Sequence, residues 1–223
     1  ILYTLLMKPQ AILFDVDGTI LDTTEYIYGA FEYSLHKHSI PLVPRSEMQL
    51  MMGKSLADCY ISFAKTQEVQ DLMNDHHEFQ VVHPELSHVY DGVNNTLTEL
   101  LHAGYHLATI TSRSGAIVHE TLKNAGVDHF FEQIITLDDV QKEKPDPEGI
   151  LKALGTMNIV PQNALMVGDS PVDIEAGKNA GTITVGAAYG FHGEKIARSH
   201  PDYVIQNIGE IVQIIDSMKS ELH

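Results

Sequence analysis

The sequence predicts an α/β fold, in which a doubly wound parallel sheet carries an all-helical unit inserted after its first strand. Two observations predict it. Short apolar, partly β-branched runs alternate with helical stretches along most of the chain, whereas residues 22–90 contain helical patterns and no convincing strand. Because the apolar runs are continuous rather than alternating, both faces of each strand should be covered by helices.

The individual elements follow from this alternation. Polar, Gly or Pro residues bound each apolar run, as expected at strand ends. The predicted strands are Gln10–Asp15, Leu107–Thr111, Gln133–Thr136, Ala164–Asp169 and Thr182–Gly186. The predicted helices between and after them are Gly115–Ala125, Pro147–Met157, Pro171–Ala180 and Ile208–Met218. Strand-helix alternation of this kind is typical of a Rossmann-like domain.

The inserted segment reads as several amphipathic helices. Apolar residues recur at helical spacing from Tyr26 to Leu35, and further stretches run through Ser55–Ala64 and Val69–Val81. We therefore predict a core domain of residues 7–21 and 91–223 and a helical domain of residues 22–90. The two links, Leu21–Thr24 and Val89–Val93, are expected to act as hinges.

Composition limits the partners. The formal net charge is −16, from 14 Lys and Arg against 30 Asp and Glu, so we expect neither nucleic acid nor an anionic membrane surface as a partner. Cys59 is the single cysteine, which excludes an intrachain disulfide and fits a cytoplasmic protein. Residues 1–6 are apolar without a basic region and are not expected to be a signal peptide; they could be a leader or an extra strand.

Chemically useful side chains follow the predicted strands. In an open parallel sheet, ligands bind beyond the carboxyl ends of the strands, so these residues should meet at one edge. Two neighbouring carboxylates are costly unless a cation or a raised pKa relieves their repulsion. The residues expected to converge are Asp15, Asp17, Thr111, Ser112, Arg113, Lys144, Asp169 and Asp173.

This set of groups suits phosphoryl transfer. Hard carboxylate oxygens with room for water suit Mg²⁺. One carboxylate can attack phosphorus to form an aspartyl phosphate, while a second donates a proton to the leaving alcohol and later takes one from water. The cation, Lys144 and the Thr111 hydroxyl could stabilise charge on the phosphoryl oxygens.

Four segments, DVDGT, TITSR, KP and GDSPVDIEAG, occur in this order and resemble the motifs of the haloacid dehalogenase superfamily. The resemblance covers residues from about 10 to 215. It implies Asp15 as nucleophile, Asp17 as general acid and base, and Thr111 and Lys144 as phosphate binders, and Ser112 is a further phosphate-binding candidate beside Thr111. It also implies that the helical insertion is a cap.

The same resemblance implies a magnesium site. Mg²⁺ would be held by Asp15, the backbone carbonyl of Asp17, and Asp169, with Asp173 as a ligand or a supporting group. Structural roles stay open for some of these residues. Asp17 precedes a glycine and fits a turn, and the Ser170–Asp173 spacing fits a helix cap.

Substrate contacts are harder to place. A glycine before a predicted helix can form a loop toward the active site, so Lys54 and Ser55 are candidate substrate-binding residues. Arg113 is another candidate, although an arginine at a helix start can equally face water. His76 and His77 lack a ligand framework and are expected to be surface or helix-face histidines.

The resemblance favours hydrolysis of a small phosphorylated metabolite. Dehalogenases of the superfamily lack an acid at the position of Asp17, and mutases of the β-phosphoglucomutase type carry a cap histidine where this chain has Ile27. Within the phosphatases, the chain is most similar to the phosphoglycolate phosphatase-like group. A sugar phosphomutase and, from another class, a phosphorylatable signalling receiver are the alternatives; the oligomeric state is not readable.

Overall fold

The computed structural model describes residues 9–220. Two predictions fall outside this range: the leader or extra strand at residues 1–6, and the start of the core domain at residue 7. Among the described residues, the strands are β1 (Ala11–Phe14), β2 (Leu21–Asp22), β3 (His88–Val89), β4 (His106–Ile110), β5 (Gln133–Ile135), β6 (Ala164–Gly168), β7 (Ile183–Ala187) and β8 (Tyr203–Ile205).

The α-helices of the same range alternate with the strands outside the insertion. They are α1 (Thr24–Lys37), α2 (Arg45–Met48), α3 (Leu56–Ala64), α4 (Gln70–Val82), α5 (Val93–His102), α6 (Gly115–Asn124), α7 (Glu148–Met157), α8 (Pro171–Ala180) and α9 (Glu210–Ser220). None of them is both long enough and apolar enough to cross a membrane.

Six strands form one parallel sheet in the order β5-β4-β1-β6-β7-β8, which confirms the predicted α/β class. Alternate residues of β1 face two different cores. Ile12 and Phe14 pack in one core with residues of α5 and α9, whereas Leu13 packs in the other with residues of α7. Helices therefore cover both sides of the sheet, as the continuous apolar runs indicated.

The inserted segment has its own core around Phe31, Leu35, Tyr60 and Leu72. Its two ends differ from expectation. The segment was predicted to lack strands, yet β2 and β3 pair in an antiparallel ladder of two residues from each strand. Such a short ladder gives little periodicity to detect, because two residues cannot show a period of two.

Candidate active site

The catalytic candidates meet at the carboxyl end of the sheet. Asp15 follows β1, Thr111 follows β4, and Asp169 follows β6, and β1 lies between β4 and β6. All three side chains are buried, with residue exposures of 6%, 6% and 1%. The parallel register thus brings together residues that are about 150 positions apart in the chain.

Lys144 is the cationic centre of the site. Its Nζ donates hydrogen bonds to Asp15 Oδ1 at 2.7 Å, to Asp173 Oδ1 at 2.6 Å and to the Ile110 carbonyl at 3.0 Å. Burial disfavours the ammonium, but the charges of Asp15 and Asp173 outweigh it and raise the pKa of Lys144. The lysine is therefore a fixed positive charge.

The carboxyl groups around Lys144 have perturbed acidities. Burial raises the pKa of Asp15 from 3.8 to about 7; Lys144 opposes the shift, and the charges of Asp173 and Asp17 add to it. Burial, followed by the charges of Asp173 and Asp15, also raises the pKa of Asp169 well above its usual range. A bound cation would reverse this effect by favouring the ionised forms.

The geometry fits a divalent cation. One carboxylate oxygen from each of Asp15, Asp169 and Asp173 lies within 4.8 Å of the others. Within residues 9–220, Asp15 Oδ2 and Asp169 Oδ1 accept no protein hydrogen bond. With Asp17, four carboxylates stand against the two cations Lys144 and Arg113, an excess of two formal negative charges. Hard oxygen donors with this excess suit Mg²⁺.

Asp173 also caps a helix. Its Oδ2 accepts hydrogen bonds from the Ser170 N–H at 3.0 Å and from the Ser170 hydroxyl at 2.5 Å. The first of these bonds, with the Ser170 side chain accepting from the Asp173 N–H, forms the capping box of α8. Its Oδ1 accepts from Lys144. The structural interpretation of Asp173 is therefore confirmed, and the same carboxylate also belongs to the acidic cluster.

Asp17 contacts other residues than Lys144. Its Oδ1 accepts a hydrogen bond from the Thr23 hydroxyl at 2.6 Å, and Arg113 Nη2 forms a close ion pair with it at 2.6 Å without the alignment of a hydrogen bond. The Arg113 side chain is 12% exposed and lies 5.0 Å from the Tyr26 ring centroid. The alternative in which Arg113 faces water is therefore wrong.

The remaining predicted site residues are Ser112 in the core and Lys54 and Ser55 in the helical segment. Ser112 donates a hydrogen bond to the carbonyl of Gly53 at 3.1 Å, so it joins the core to the helical segment. Lys54 is exposed and lines the cavity beside Asp15. Ser55 is not part of that lining; its hydroxyl accepts from the Asp58 N–H at 3.3 Å and caps α3.

A cavity of about 130 Å³ adjoins Asp15 and Asp17 between the core and the helical segment. Its wall includes residues that the sequence did not single out as functional, among them His76, Gln80 and Phe191. His76 lies on α4, as expected for a helix-face histidine, but it is buried, with 2% exposure, and is not at the surface. Phe191 donates its N–H to Asp169 Oδ2 at 2.6 Å, and its carbonyl accepts a hydrogen bond from the Gln49 side chain.

Gly18 gives a test of the acidic cluster. Its φ is +77°, and an added Cβ would collide with the Asp169 carboxylate and the Phe191 ring. We expect Gly18→Ala to weaken Mg²⁺ binding at least about tenfold, because the carboxylate must move. Calorimetric titration with Mg²⁺ measures this. Gly104→Ala is the control, since Gly104 has a φ of +84° with nothing within 4 Å of an added Cβ; equal affinities in both variants would contradict the expectation.

Comparison with known proteins finds relatives over nearly the whole chain. The chain is 34% identical over 216 residues to a protein named pyrophosphatase PpaX from Bacillus thuringiensis (strain Al Hakam), covering 95% of this chain and 99% of the relative. A "predicted phosphoglycolate phosphatase" from Haemophilus somnus 129PT superposes with a TM-score of 0.82 at 25% identity, covering 93% and 98% of the two chains. A β-phosphoglucomutase from Clostridium difficile shares the fold, with a TM-score of 0.81 at 20% identity over 96% and 98%.

The parallel sheet and these relatives define an α/β enzyme of the phosphatase class. The family model described as haloacid dehalogenase-like hydrolase matches residues 12–187. The chain belongs to that family, and the resemblance seen in its four sequence motifs is confirmed.

Proposed function

We propose that the protein is a Mg²⁺-dependent phosphatase that hydrolyses a small phosphate monoester through a phosphorylated Asp15, as in the phosphoglycolate phosphatase-like group. One observation carries the proposal: Asp15 is buried against Lys144 and two further carboxylates, and it borders a cavity. A surface carboxylate of ordinary structural use has no such surroundings.

In the first step, Asp15 Oδ2 attacks the phosphorus atom while the bond from phosphorus to the alcohol oxygen breaks. Oδ2 is the free oxygen, because Oδ1 accepts from Lys144. Asp17 acts as the general acid that gives a proton to the leaving oxygen. The Thr111 hydroxyl donates a hydrogen bond to a phosphoryl oxygen, and the charge of Lys144, whose three N–H groups already bond Asp15, Asp173 and the Ile110 carbonyl, stabilises the phosphoryl oxygens electrostatically. Mg²⁺ held by Asp15 and Asp169 would supply further neutralisation of their charge.

In the second step, a water molecule attacks the phosphorus of the aspartyl phosphate and releases orthophosphate, which restores the Asp15 carboxylate. Asp17 takes the proton from the water. The close contacts of Thr23 and Arg113 with Asp17 Oδ1 fix this carboxylate for both proton transfers. The helical segment, which contacts the core through Gly53 and Gln49, closes over the site and excludes bulk water.

Two residues favour hydrolysis over the mutase and receiver alternatives. Ile27 lines the cavity, and an apolar side chain cannot serve the acid-base role of a histidine in a mutase. A receiver would keep its phosphate, whereas Asp17 lies beside Asp15 to activate water. A screen of phosphoglycolate, hexose phosphates, nucleoside monophosphates and pyrophosphate with Mg²⁺ tests the proposal. Stable stoichiometric phosphorylation without turnover would contradict it.

Magnesium binding should depend on pH. The pKa of Asp15 is raised to about 7 and that of Asp169 is raised well above its usual range, so protons compete with the cation as the pH falls through 7. We expect Mg²⁺ to raise the melting temperature more at pH 8 than at pH 5.5, measured by scanning calorimetry. Asp169→Asn should lose most of this shift. An equal shift at both pH values would show that the two carboxyl groups do not bind the cation.

A further inference from the structure

The cavity beside Asp15 has an apolar wall on the side of the helical segment. This wall is where the leaving group of a substrate must lie, because the phosphoryl group occupies the end bounded by Asp15, Asp17 and Thr111. Apolar side chains dominate it. They are Ile27, Phe31, Met51, Met52, Leu56 and Met73.

Within residues 9–220, the buried part of the cavity wall offers no unpaired cation to a charged leaving group. Among the described residues of its lining, the lysine and arginine side chains are Lys54 and Arg113, and Arg113 is paired with Asp17. Burial, then the charges of His77 and Arg113, hold the pKa of His76 well below its usual range; burial, then Arg113, lowers that of His77. Both histidines are therefore neutral, and Lys54, the remaining cation of the lining, is exposed rather than part of the buried wall.

Two neutral polar side chains of the wall have atoms that are free to bond a ligand. His76 and Gln80 lie one turn apart on α4 and are 2% and 4% exposed. His76 Nδ1 is hydrogen-bonded to the Tyr60 hydroxyl at 3.0 Å. Within residues 9–220, neither His76 Nε2 nor the Gln80 amide makes a hydrogen bond. These polar atoms keep accessible surface where the two residues line the cavity, so they can bond a hydroxyl group of a ligand there.

We propose that this cavity selects phosphate monoesters whose leaving group is an uncharged alcohol, with an apolar side that packs on the wall and a further hydroxyl that bonds His76 or Gln80. The inference rests on the proposed function and narrows its substrate class. It disfavours pyrophosphate and phosphoglycolate, whose leaving groups are anions. Burying a second anion next to Asp15 and Asp17 without a countercharge would be costly.

A matched pair of substrates tests this selectivity. Phosphoglycolate and 2-hydroxyethyl phosphate share a two-carbon skeleton, but the first ends in a carboxylate and the second in a hydroxyl. We expect kcat/KM to be at least about tenfold higher for 2-hydroxyethyl phosphate than for phosphoglycolate or pyrophosphate. Equal values, or a preference for either anion, would overturn the inference while leaving the phosphatase activity in place. No turnover of any ester, p-nitrophenyl phosphate included, would overturn the proposed function as well.

Variants locate the selectivity in the wall. Met73→Lys adds a cation of similar length to the cavity and should reduce the preference over phosphoglycolate about tenfold. Val81→Lys is the control, because Val81 lies on the same helix but is 57% exposed, and it should leave the preference unchanged. Gln80→Met should raise KM for 2-hydroxyethyl phosphate severalfold and leave that for ethyl phosphate unchanged. Equal effects of Met73→Lys and Val81→Lys, or of Gln80→Met on both esters, would contradict the assignment.

Discussion

Asp15→Asn is expected to lower kcat for p-nitrophenyl phosphate with Mg²⁺ by at least about 10³-fold. The amide has nearly the same shape as the carboxylate but is not a nucleophile toward phosphorus. The substitution removes one negative charge beside Lys144 Nζ, but the amide oxygen can still accept from it and Asp173 Oδ1 remains at 2.6 Å, so the fold should survive. Circular dichroism and turnover, measured on the same preparation, separate loss of chemistry from loss of structure.

Asp17→Asn is the matched comparison for this variant. p-Nitrophenolate leaves readily without a proton, so Asp15 should still become phosphorylated in Asp17→Asn. Hydrolysis of the phosphorylated enzyme should then be slow, because no base activates water. Labelled phosphate should therefore accumulate on Asp17→Asn and be absent from Asp15→Asn. Label on the Asp15→Asn protein would show that another residue is the nucleophile.

Lys144→Met should lower the free energy of unfolding of the metal-free protein by about 3–5 kcal/mol at pH 8, because it leaves Asp15 and Asp173 buried without their countercharge. For a chain of this size, the melting temperature should fall by about 10 °C. Lys152→Met is the control. Lys152 pairs with Asp139 at 3.4 Å on the surface, and such a pair contributes about 0–1 kcal/mol.

The loss in Lys144→Met should also depend on pH. Already in the wild type, the pKa of Asp15 is about 7 against an ordinary 3.8. The native state thus binds more protons than the unfolded state between these values, so the contribution of Asp15 to stability falls as the pH rises. Without Lys144 this dependence should steepen, and the difference from wild type should shrink toward pH 5. Denaturant titrations at pH 5 and 8 measure it; a difference that grows toward pH 5 would contradict the sign.

The sequence predicted the strands best where both faces are buried. The predicted Gln10–Asp15 run contains β1, whose residues are all buried. The three-residue edge strand β8 was missed: Tyr203, Val204 and Ile205 are apolar, but a run of three residues is too short to distinguish a strand from a loop. Tyr203 and Val204 are 36% and 38% exposed. Helix α5 was also missed, although Val93, Thr96, Leu97 and Leu100 are buried at helical spacing and carried the signal that could have found it.

The site was predictable to the extent that it depends on strand ends. Asp15, Thr111 and Asp169 meet because parallel strands place their carboxyl ends together. The ion pair of Arg113 with Asp17 joins two loops that follow different strands, and the burial of His76 depends on its packing with Phe31 and Tyr60 inside the helical segment. Packing between segments distant in sequence leaves no local periodicity, so neither could be read from the chain.

Phe191 connects the helical segment to the acidic cluster, and this connection affects ligand affinity. It donates to Asp169 through its amide, accepts from Gln49 of the helical segment through its carbonyl, and lies 6.4 Å from the Tyr28 ring centroid. Displacement of the helical segment therefore changes the environment of a carboxylate on the opposite side of this residue. Thermodynamic linkage then requires the two effects on affinity to be equal. If a bound cation raises the affinity for the substrate by some factor, bound substrate raises the affinity for the cation by the same factor.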